Sequence, residues 1–183
     1  MKIPPKAKLV FKGTIFSTYQ WEQEMFDGSF QTFEMLKRPD TNQIIATVGD
    51  KLIATKESQP NKHNYVSLPG GRVEEGEDPL DGAKRELLEE TGYVSDDWQL
   101  YKAYEPLHKI DWTIYYYIAR NCHKVGEPHL DAGEKIELTQ LSFDEYIDFI
   151  INSEYNGDFV TDILKLKLEN KLDTFKKLLF SHS

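Results

Sequence analysis

Four charged residues near the middle of the chain follow closely on a glycine-rich turn: Arg85, Glu86, Glu89 and Glu90. In a helix, Glu86 lies three positions before Glu89 and four before Glu90, so the three carboxylates share one face. Like charges at these spacings destabilise a helix by roughly 0.2–0.5 kcal/mol per pair unless cations lie between them. The spacing therefore predicts a site for a hard divalent metal ion.

The helix that would carry these acids is marked at both ends. Asp78 is a good N-cap, Pro79 suits the first helical position, and Gly92 can adopt the left-handed conformation that ends a helix. We therefore predict a helix from about Pro79 to Thr91. Its apolar stripe lies beside the carboxylates, so the acids should border the core.

A loop with paired glycines precedes this helix. A strand-like run from Asn64 to Leu68 leads into Gly70 and Gly71, and paired glycines let the backbone approach a ligand closely. The predicted unit is a strand, a loop and a helix whose acids face the loop.

The segment from Gly71 to Tyr93 reads GRVEEGEDPLDGAKRELLEETGY. It carries every fixed letter of the pattern GX5EX7REUXEEXGU and so resembles the signature of the Nudix hydrolases. Only the last apolar position departs slightly, because Tyr93 stands where an aliphatic residue is commoner. The resemblance implies an α+β fold, an α/β/α sandwich with a mixed central sheet, that hydrolyses a diphosphate linked to a nucleoside or sugar.

The acids suit that chemistry. Hydrolysis of a pyrophosphate requires its charge to be neutralised, a water to be activated and the leaving phosphate to be stabilised, and Mg²⁺ can serve all three needs through oxygen ligands. Glu86 and Glu90, one turn apart, are the expected protein ligands. Glu89 is either a further ligand or the base for the metal-bound water. Mn²⁺ is the expected substitute ion.

Three further roles are implied by the resemblance. The carbonyl of Gly70 corresponds to a backbone metal ligand. Arg85 is expected to orient a glutamate of the signature, a task for which a fork of donors suits arginine better than lysine. Glu77 corresponds to a structural acid or a secondary ligand.

The N-terminal part resembles the ADP-ribose and ADP-sugar pyrophosphatase branch of the family. It combines a hairpin with Lys37-Arg38-Pro39 and a Gln59-Pro60 loop. The resemblance implies a homodimer in which N-terminal strands help to build the nucleoside pocket. We therefore expect Trp21 to stack on a base, Arg38 to lie near a phosphate or ribose, and Arg72 to bind substrate. Trp21 could equally be a core residue, as could the aromatic rings near it.

A late acidic loop supplies another candidate. Leu130 to Glu137 contains a glycine and leads into a strand, and such loops often carry catalytic groups. Glu134 resembles an acid that the branch brings over its metals, so we expect it to be a ligand or the general base. Glu137 and Asp131 are the alternates, and a solvated surface loop is the competing interpretation.

Length and composition are those of one compact enzyme. The 183 residues divide into an N-terminal strand extension at 1–40, a candidate dimerisation element, and a Nudix hydrolase domain with C-terminal helices at 41–183. A net charge of −9 argues against a nucleic-acid polymer as partner. No apolar run approaches the roughly 18 residues of a membrane span, nor is there one of signal length. Cys122 is the single cysteine, so we expect a buried thiol and a cytoplasmic location.

The remaining elements are predicted from apolar alternation and turn signals. We expect Lys56 to Asn64 to be a polar loop and Phe143 to Ile151 a helix, capped by Ser142 or by Asp144. Asp158 to Leu179 carries an apolar helical face that closes over its own domain or contacts a partner. The predicted strands are Leu9–Tyr19, Gln31–Leu36, Ile44–Val48, Leu52–Thr55, Gln99–Tyr104, Trp112–Ala119 and Ile136–Leu141.

The predicted activity is therefore Mg²⁺-dependent hydrolysis of ADP-ribose or a related nucleoside diphosphate sugar to a nucleoside monophosphate and a sugar phosphate. One alternative is a Nudix enzyme for dinucleoside polyphosphates or nucleoside triphosphates. The other is a non-catalytic nucleotide-sensing module. The three acids argue against the sensor, since binding alone does not need three ligating carboxylates on one helix.

Overall fold

The computed structural model describes residues 2–60, 62–130, 132–133, 135–152 and 158–181. The strands are β1 Lys8–Lys12, β2 Ser17–Glu24, β3 Phe30–Lys37, β4 Thr41–Val48, β5 Lys51–Gln59, β6 Lys62–Ser67, β7 Tyr93–Val94, β8 Asp97–Tyr104, β9 Ile110–Asp111, β10 Ile114–Arg120, β11 His123–Lys124 and β12 Lys135–Leu141. The helices are α1 Pro79–Thr91, α2 Phe143–Asn152, α3 Phe159–Leu168 and α4 Leu172–Phe180.

The central sheet is mixed and is covered by helices on both faces. Its order is β12-β5-β4-β10-β8, with β6 also paired to β5, and β4 and β10 run parallel while their other neighbours run antiparallel. Side chains alternate along β4, so Ile44 packs with Ala83 and Leu87 of α1, whereas Ile45 joins the core under α2, α3 and α4. The predicted α/β/α sandwich is confirmed.

A second sheet of order β1-β2-β3-β9 contains the N-terminal strands. Strands β2 and β3 form the expected hairpin around Asp27-Gly28-Ser29, where the Asp27 carboxylate accepts a hydrogen bond from the Ser29 amide at 3.0 Å. The predicted single strand Leu9–Tyr19 is wrong. A turn closed by the Gly13 amide and the Phe16 carbonyl, 2.9 Å apart, divides it into β1 and β2.

The predicted polar loop Lys56–Asn64 is also wrong, because β5 continues to Gln59 and β6 begins at Lys62. Lys56 has a register partner on each side, Glu137 of β12 and Val66 of β6. Pairing on both sides satisfies the backbone donors and acceptors, and this outweighs the polar composition of the segment.

The C-terminal region forms two helices whose apolar face closes over their own domain, the first of its two expected uses. Phe159 and Ile163 of α3 and Phe175 and Leu179 of α4 are buried in the core on that side of the sheet. Asn170, with φ 54°, separates the two helices. At the start of α2 the Ser142 amide donates to Glu145 Oε2 at 2.8 Å, as in a capping box, so Ser142 is the cap.

None of the helices within the described ranges has both the length and the apolar character that a membrane span requires.

Cys122 lies buried beside β4, and its burial raises the pKa of the thiol to about 12. We predict that the native protein at pH 8 does not react with a disulfide reagent such as Ellman's reagent on a timescale of minutes, because the thiolate is the reactive form. In denaturant the same assay should release one equivalent of chromophore at once. Rapid reaction of the native protein would contradict the packing around β4.

Candidate active site

Helix α1 has the predicted bounds and the predicted caps. The Asp78 side chain accepts a hydrogen bond from the Leu80 amide at 2.9 Å, Pro79 occupies the first turn, and Gly92 ends the helix at φ 72°. Ala83 and Leu87 are fully buried against the sheet. Packing of this stripe fixes the rotation of the helix, so its acids face the loop that precedes it.

Arg85 is the centre of the charged cluster on α1. Its Nε donates to Glu77 Oε1 at 3.0 Å and its Nη2 to Glu77 Oε2 at 3.1 Å, which is a two-pronged pairing. Its Nη1 lies 2.9 Å from both Glu86 Oε1 and Glu89 Oε2. The Nη2 also donates to the carbonyl of Arg72 at 2.9 Å. One guanidinium therefore ties three carboxylates to the loop.

The ion pairs of this cluster perturb both partners. Hydrogen bonds from Arg85 lower the pKa of Glu77, and hydrogen bonds to Glu77, followed by those to Glu86, raise the pKa of Arg85. The arginine therefore remains charged at any physiological pH, and Glu77 remains its carboxylate partner.

The diglycine loop is pressed directly onto the acids. The Gly70 amide donates to Glu90 Oε2 at 2.7 Å. At Gly71, an added Cβ would lie 2.5 Å from the carboxylate atoms of Glu86, so any side chain there would displace the acid. Glycine at this position thus lets the loop lie against the Glu86 carboxylate without moving it.

Oxygen donors at this site fit a hard divalent ion. Four carboxylates lie here: Glu77, Glu86 and Glu89 share the guanidinium of Arg85, and the buried Glu90 accepts from the Gly70 amide. In the part of the chain that the structure describes, no three His, Cys, Asp or Glu side chains are arranged to hold a metal. The acids instead pair with Arg85 and the Gly70 amide. The excess of negative charge and the donor type match Mg²⁺ or Mn²⁺.

Gly71, which lies against Glu86, also lines a cavity of about 420 Å³. Trp112 forms part of its wall and donates from Nε1 to Thr41 Oγ1 at 3.1 Å. Asp158, at another part of the wall, accepts a hydrogen bond from the Tyr104 hydroxyl. The lining residues are Thr41, Gln43, Ser67, Gly71, Trp112, Ile114, Tyr116 and Asp158.

Two of the predicted substrate-binding residues lie close together near this cavity. The Arg38 guanidinium stacks over Trp112, 4.2 Å from the ring centroid, with Phe16 at 5.8 Å on the same group. Burial and the nearby charge of Arg72 both lower the pKa of Arg38. The Nε of Arg38 is buried without a hydrogen-bond partner. A bound anionic group would pair with both Arg38 and Arg72.

Trp21, the third predicted substrate-binding residue, is placed elsewhere. It is 7% exposed in β2, packs on Phe33 at 5.9 Å between ring centroids, and donates to Gln23 Oε1. It lines neither the cavity beside Gly71 nor a second cavity of about 560 Å³ between β3 and β9. Trp112, which does line the cavity, was predicted only as the start of a strand, and its local sequence carries no sign of this position.

Of the three candidate acids after residue 130, the structure describes Glu137 alone. Glu134 and its alternate Asp131 lie outside the described residues. Glu137 lies in β12, is exposed, and faces Lys56 of β5 in register.

Comparisons with known proteins show the family of this chain. The model of the NUDIX domain family matches residues 37–159. The chain therefore belongs to the Nudix family, and it is a pyrophosphohydrolase of that family.

Two relatives align with nearly the whole length of this chain. It is 29% identical over 173 residues to the Methanol dehydrogenase activator of Bacillus methanolicus, covering 91% of this chain and 93% of that protein. It is 26% identical over 172 residues to the ADP-ribose pyrophosphatase of Bacillus subtilis (strain 168), with the same shares. A solved ADP compounds hydrolase has the same fold, with a TM-score of 0.71 at 18% identity, over 91% of this chain and 95% of that one.

We predict that Arg85→Lys lowers kcat/KM by about tenfold to a hundredfold, because an ammonium group cannot bond Glu77, Glu86 and Glu89 together in one plane. Steady-state kinetics on a diphosphate substrate measure this. Lys84→Ala is the matched control, since Lys84 pairs with the exposed Asp81 at 3.4 Å and its loss should leave kcat/KM unchanged. Full activity of Arg85→Lys would show that the fork is dispensable.

Proposed function

We propose that this enzyme hydrolyses the diphosphate bond of ADP-ribose or a related nucleoside diphosphate sugar, with Mg²⁺ as the cofactor and Mn²⁺ as a substitute. The products are a nucleoside monophosphate and a sugar phosphate. The observation that carries the proposal is the position of Gly71, which lies against the Glu86 carboxylate and also lines the cavity of about 420 Å³.

The residues in and near this cavity would each bind a different part of the substrate. Arg38 and Arg72 supply positive charge for the diphosphate, and Trp112 offers an aromatic surface for the nucleoside. Asp158 is an acceptor for hydroxyl groups of a ribose or sugar. This arrangement suits a molecule with a charged centre and polar or aromatic ends, and the Bacillus subtilis relative named as an ADP-ribose pyrophosphatase supports the choice.

Glu86 and Glu90 would hold the metal together with the carbonyl of Gly70, and whichever of Glu89 and Glu134 is not the base would be a further ligand. Such an ion would supply positive charge that neutralises phosphate oxygens and makes the attacking water more acidic. Glu89 or Glu134 would accept a proton from the attacking water. Water adds to one phosphorus, the bridging P–O bond breaks, and two phosphate monoesters leave. Arg85 keeps Glu86 and Glu89 in place throughout.

We further propose a cytoplasmic homodimer in which the extension at 1–40 packs against a second copy of the chain. Leu9, Val10 and Phe11 of β1 are about half exposed, which leaves an apolar strand without cover in one chain. Light scattering coupled to size-exclusion chromatography would give twice the 21.3 kDa chain mass if the proposal holds. A monomer at micromolar concentration would contradict it.

We predict that Glu90→Gln lowers kcat by about a hundredfold or more, because the variant loses the charge that would hold the metal. The side-chain oxygen of glutamine can still accept a hydrogen bond from the Gly70 N–H, so the thermal unfolding midpoint should change little. Glu75→Gln, at an exposed acid of the loop, is the matched control and should retain full kcat. A Glu90→Gln enzyme that remains active and saturable by Mg²⁺ would remove Glu90 from the site.

The substrate is tested by turnover of ADP-ribose, ADP-glucose, GDP-mannose and dinucleoside polyphosphates in Mg²⁺, with products identified after reaction in ¹⁸O-labelled water. We expect the highest kcat/KM for ADP-ribose or another nucleoside diphosphate sugar. Preference for a dinucleoside polyphosphate or a nucleoside triphosphate would overturn the proposed substrate.

We predict that Trp112→Ala raises KM for the preferred substrate by about tenfold, through loss of the stacking surface and of the support for Arg38. Trp21→Ala is the comparison, because Trp21 packs on Phe33 in the other sheet; it should lower the unfolding midpoint more than it alters KM. The reverse pattern in steady-state kinetics would place the nucleoside at Trp21.

The Bacillus methanolicus relative favours a second candidate function, activation of a dehydrogenase. Adding the purified protein to a methanol dehydrogenase assay tests it. Stimulation that is lost in Glu90→Gln would connect activation to hydrolysis, whereas stimulation by both proteins would make it an independent binding effect.

A further inference from the structure

Asn42 of β4 has a side chain whose polar atoms are both unsatisfied. The residue is 0% exposed, and neither its Nδ2 nor its Oδ1 has a hydrogen-bond partner. A buried amide in this state destabilises the folded protein relative to an apolar side chain of similar shape. The cost indicates that the amide serves something other than stability.

The position of Asn42 connects it to the diglycine loop. The backbone N–H of Asn42 donates to the Gly71 carbonyl at 2.8 Å. The backbone carbonyl oxygen of Asn42 would be 2.1 Å from a Cβ at Gly70. Alternation along β4 directs Thr41 and Gln43 toward the cavity and Asn42 toward α1. The unsatisfied amide therefore points at the helix that carries the acids.

Gly82 of α1 leaves a gap at the point that Asn42 faces. A Cβ at Gly82 would lie 3.0 Å from Asn42 Nδ2 and 2.7 Å from Glu77 Oε2. Glycine inside a helix lowers its stability, so its presence here is a second local cost at the same point. Both costs are explained if the side-chain amide of Asn42 and the carboxylate of Glu77 must be able to form a hydrogen bond.

We propose that Asn42 is a positioning residue for the acidic cluster: its Nδ2 donates to Glu77 across the gap at Gly82 when the cluster holds a divalent cation. Arg85 has one guanidinium for three carboxylates, and Glu86 and Glu89 are the two that a cation would engage. Glu77 already accepts from the Glu74 amide at 2.9 Å in the loop, and Asn42 would add a donor from the sheet that holds Glu77 and its pairing with Arg85 in place.

This inference rests on the metal site of the proposed function. It concerns cation binding rather than substrate choice, so it does not depend on which diphosphate is hydrolysed. Mn²⁺ serves as the probe, and the fraction of free Mn²⁺ measured by electron paramagnetic resonance gives its Kd without any substrate.

The test compares Asn42→Ala and Asn42→Leu, which remove the donor without adding charge, with the wild type. We expect each variant to raise the Kd for Mn²⁺ by about tenfold, in the range seen when a hydrogen-bond partner of a metal site is removed. The unfolding midpoint in EDTA should stay within a few degrees of the wild-type value for Asn42→Ala, because no hydrogen bond is lost. Gly82→Ala should weaken Mn²⁺ binding as well, since its methyl group fills the gap.

Thr47→Val is the matched control, a buried polar residue of the same strand that accepts from the Asn121 amide at 3.2 Å. It should lower the unfolding midpoint and leave the Kd for Mn²⁺ unchanged. Wild-type Kd values in both Asn42 variants would overturn the proposal, as would an equal weakening by Thr47→Val. If the wild type binds Mn²⁺ but does not hydrolyse ADP-ribose, the proposed substrate fails while the role of Asn42 is still decided by these Kd values.

Discussion

The pairing of one guanidinium with three carboxylates is the interaction on which the site depends. Glu77, Glu86 and Glu89 would repel one another on and beside α1, and Arg85 holds them within hydrogen-bond distance of a single planar group. The same guanidinium binds the Arg72 carbonyl, so the acids are fixed to the loop as well as to each other. A rigid fork of donors is what makes this geometry available to arginine.

The rest of the fold can be understood as support for that pairing. Burial of Ala83 and Leu87 sets the rotation of α1, and the absence of a side chain at Gly71 lets the loop lie on Glu86. Strand β4 serves both sides of the sheet at once: Thr41 lines the cavity, while Asn42 faces the helix. Gly71 therefore belongs both to the surroundings of the charged cluster and to the wall of the cavity of about 420 Å³.

Local signals predicted the helix and its caps correctly because Asp78, Pro79 and Gly92 act within one turn of the helix ends. The nine-residue strand β5 was underestimated because its polar second half is held by neighbours distant in sequence. The same limit applies to the site. The spacing of the acids was visible in the sequence, but the positions of Trp112, Asn42 and Gly82 depend on how β4, β10 and α1 pack.

The most direct measurement is the anomalous scattering of Mn²⁺ in crystals grown with a non-hydrolysable analogue of ADP-ribose. The account predicts a peak within about 2.5 Å of carboxylate oxygens of Glu86 and Glu90, with the diphosphate of the analogue between that peak and the cavity at Gly71. A peak elsewhere on the protein, or an analogue bound with these acids turned to solvent, would contradict it.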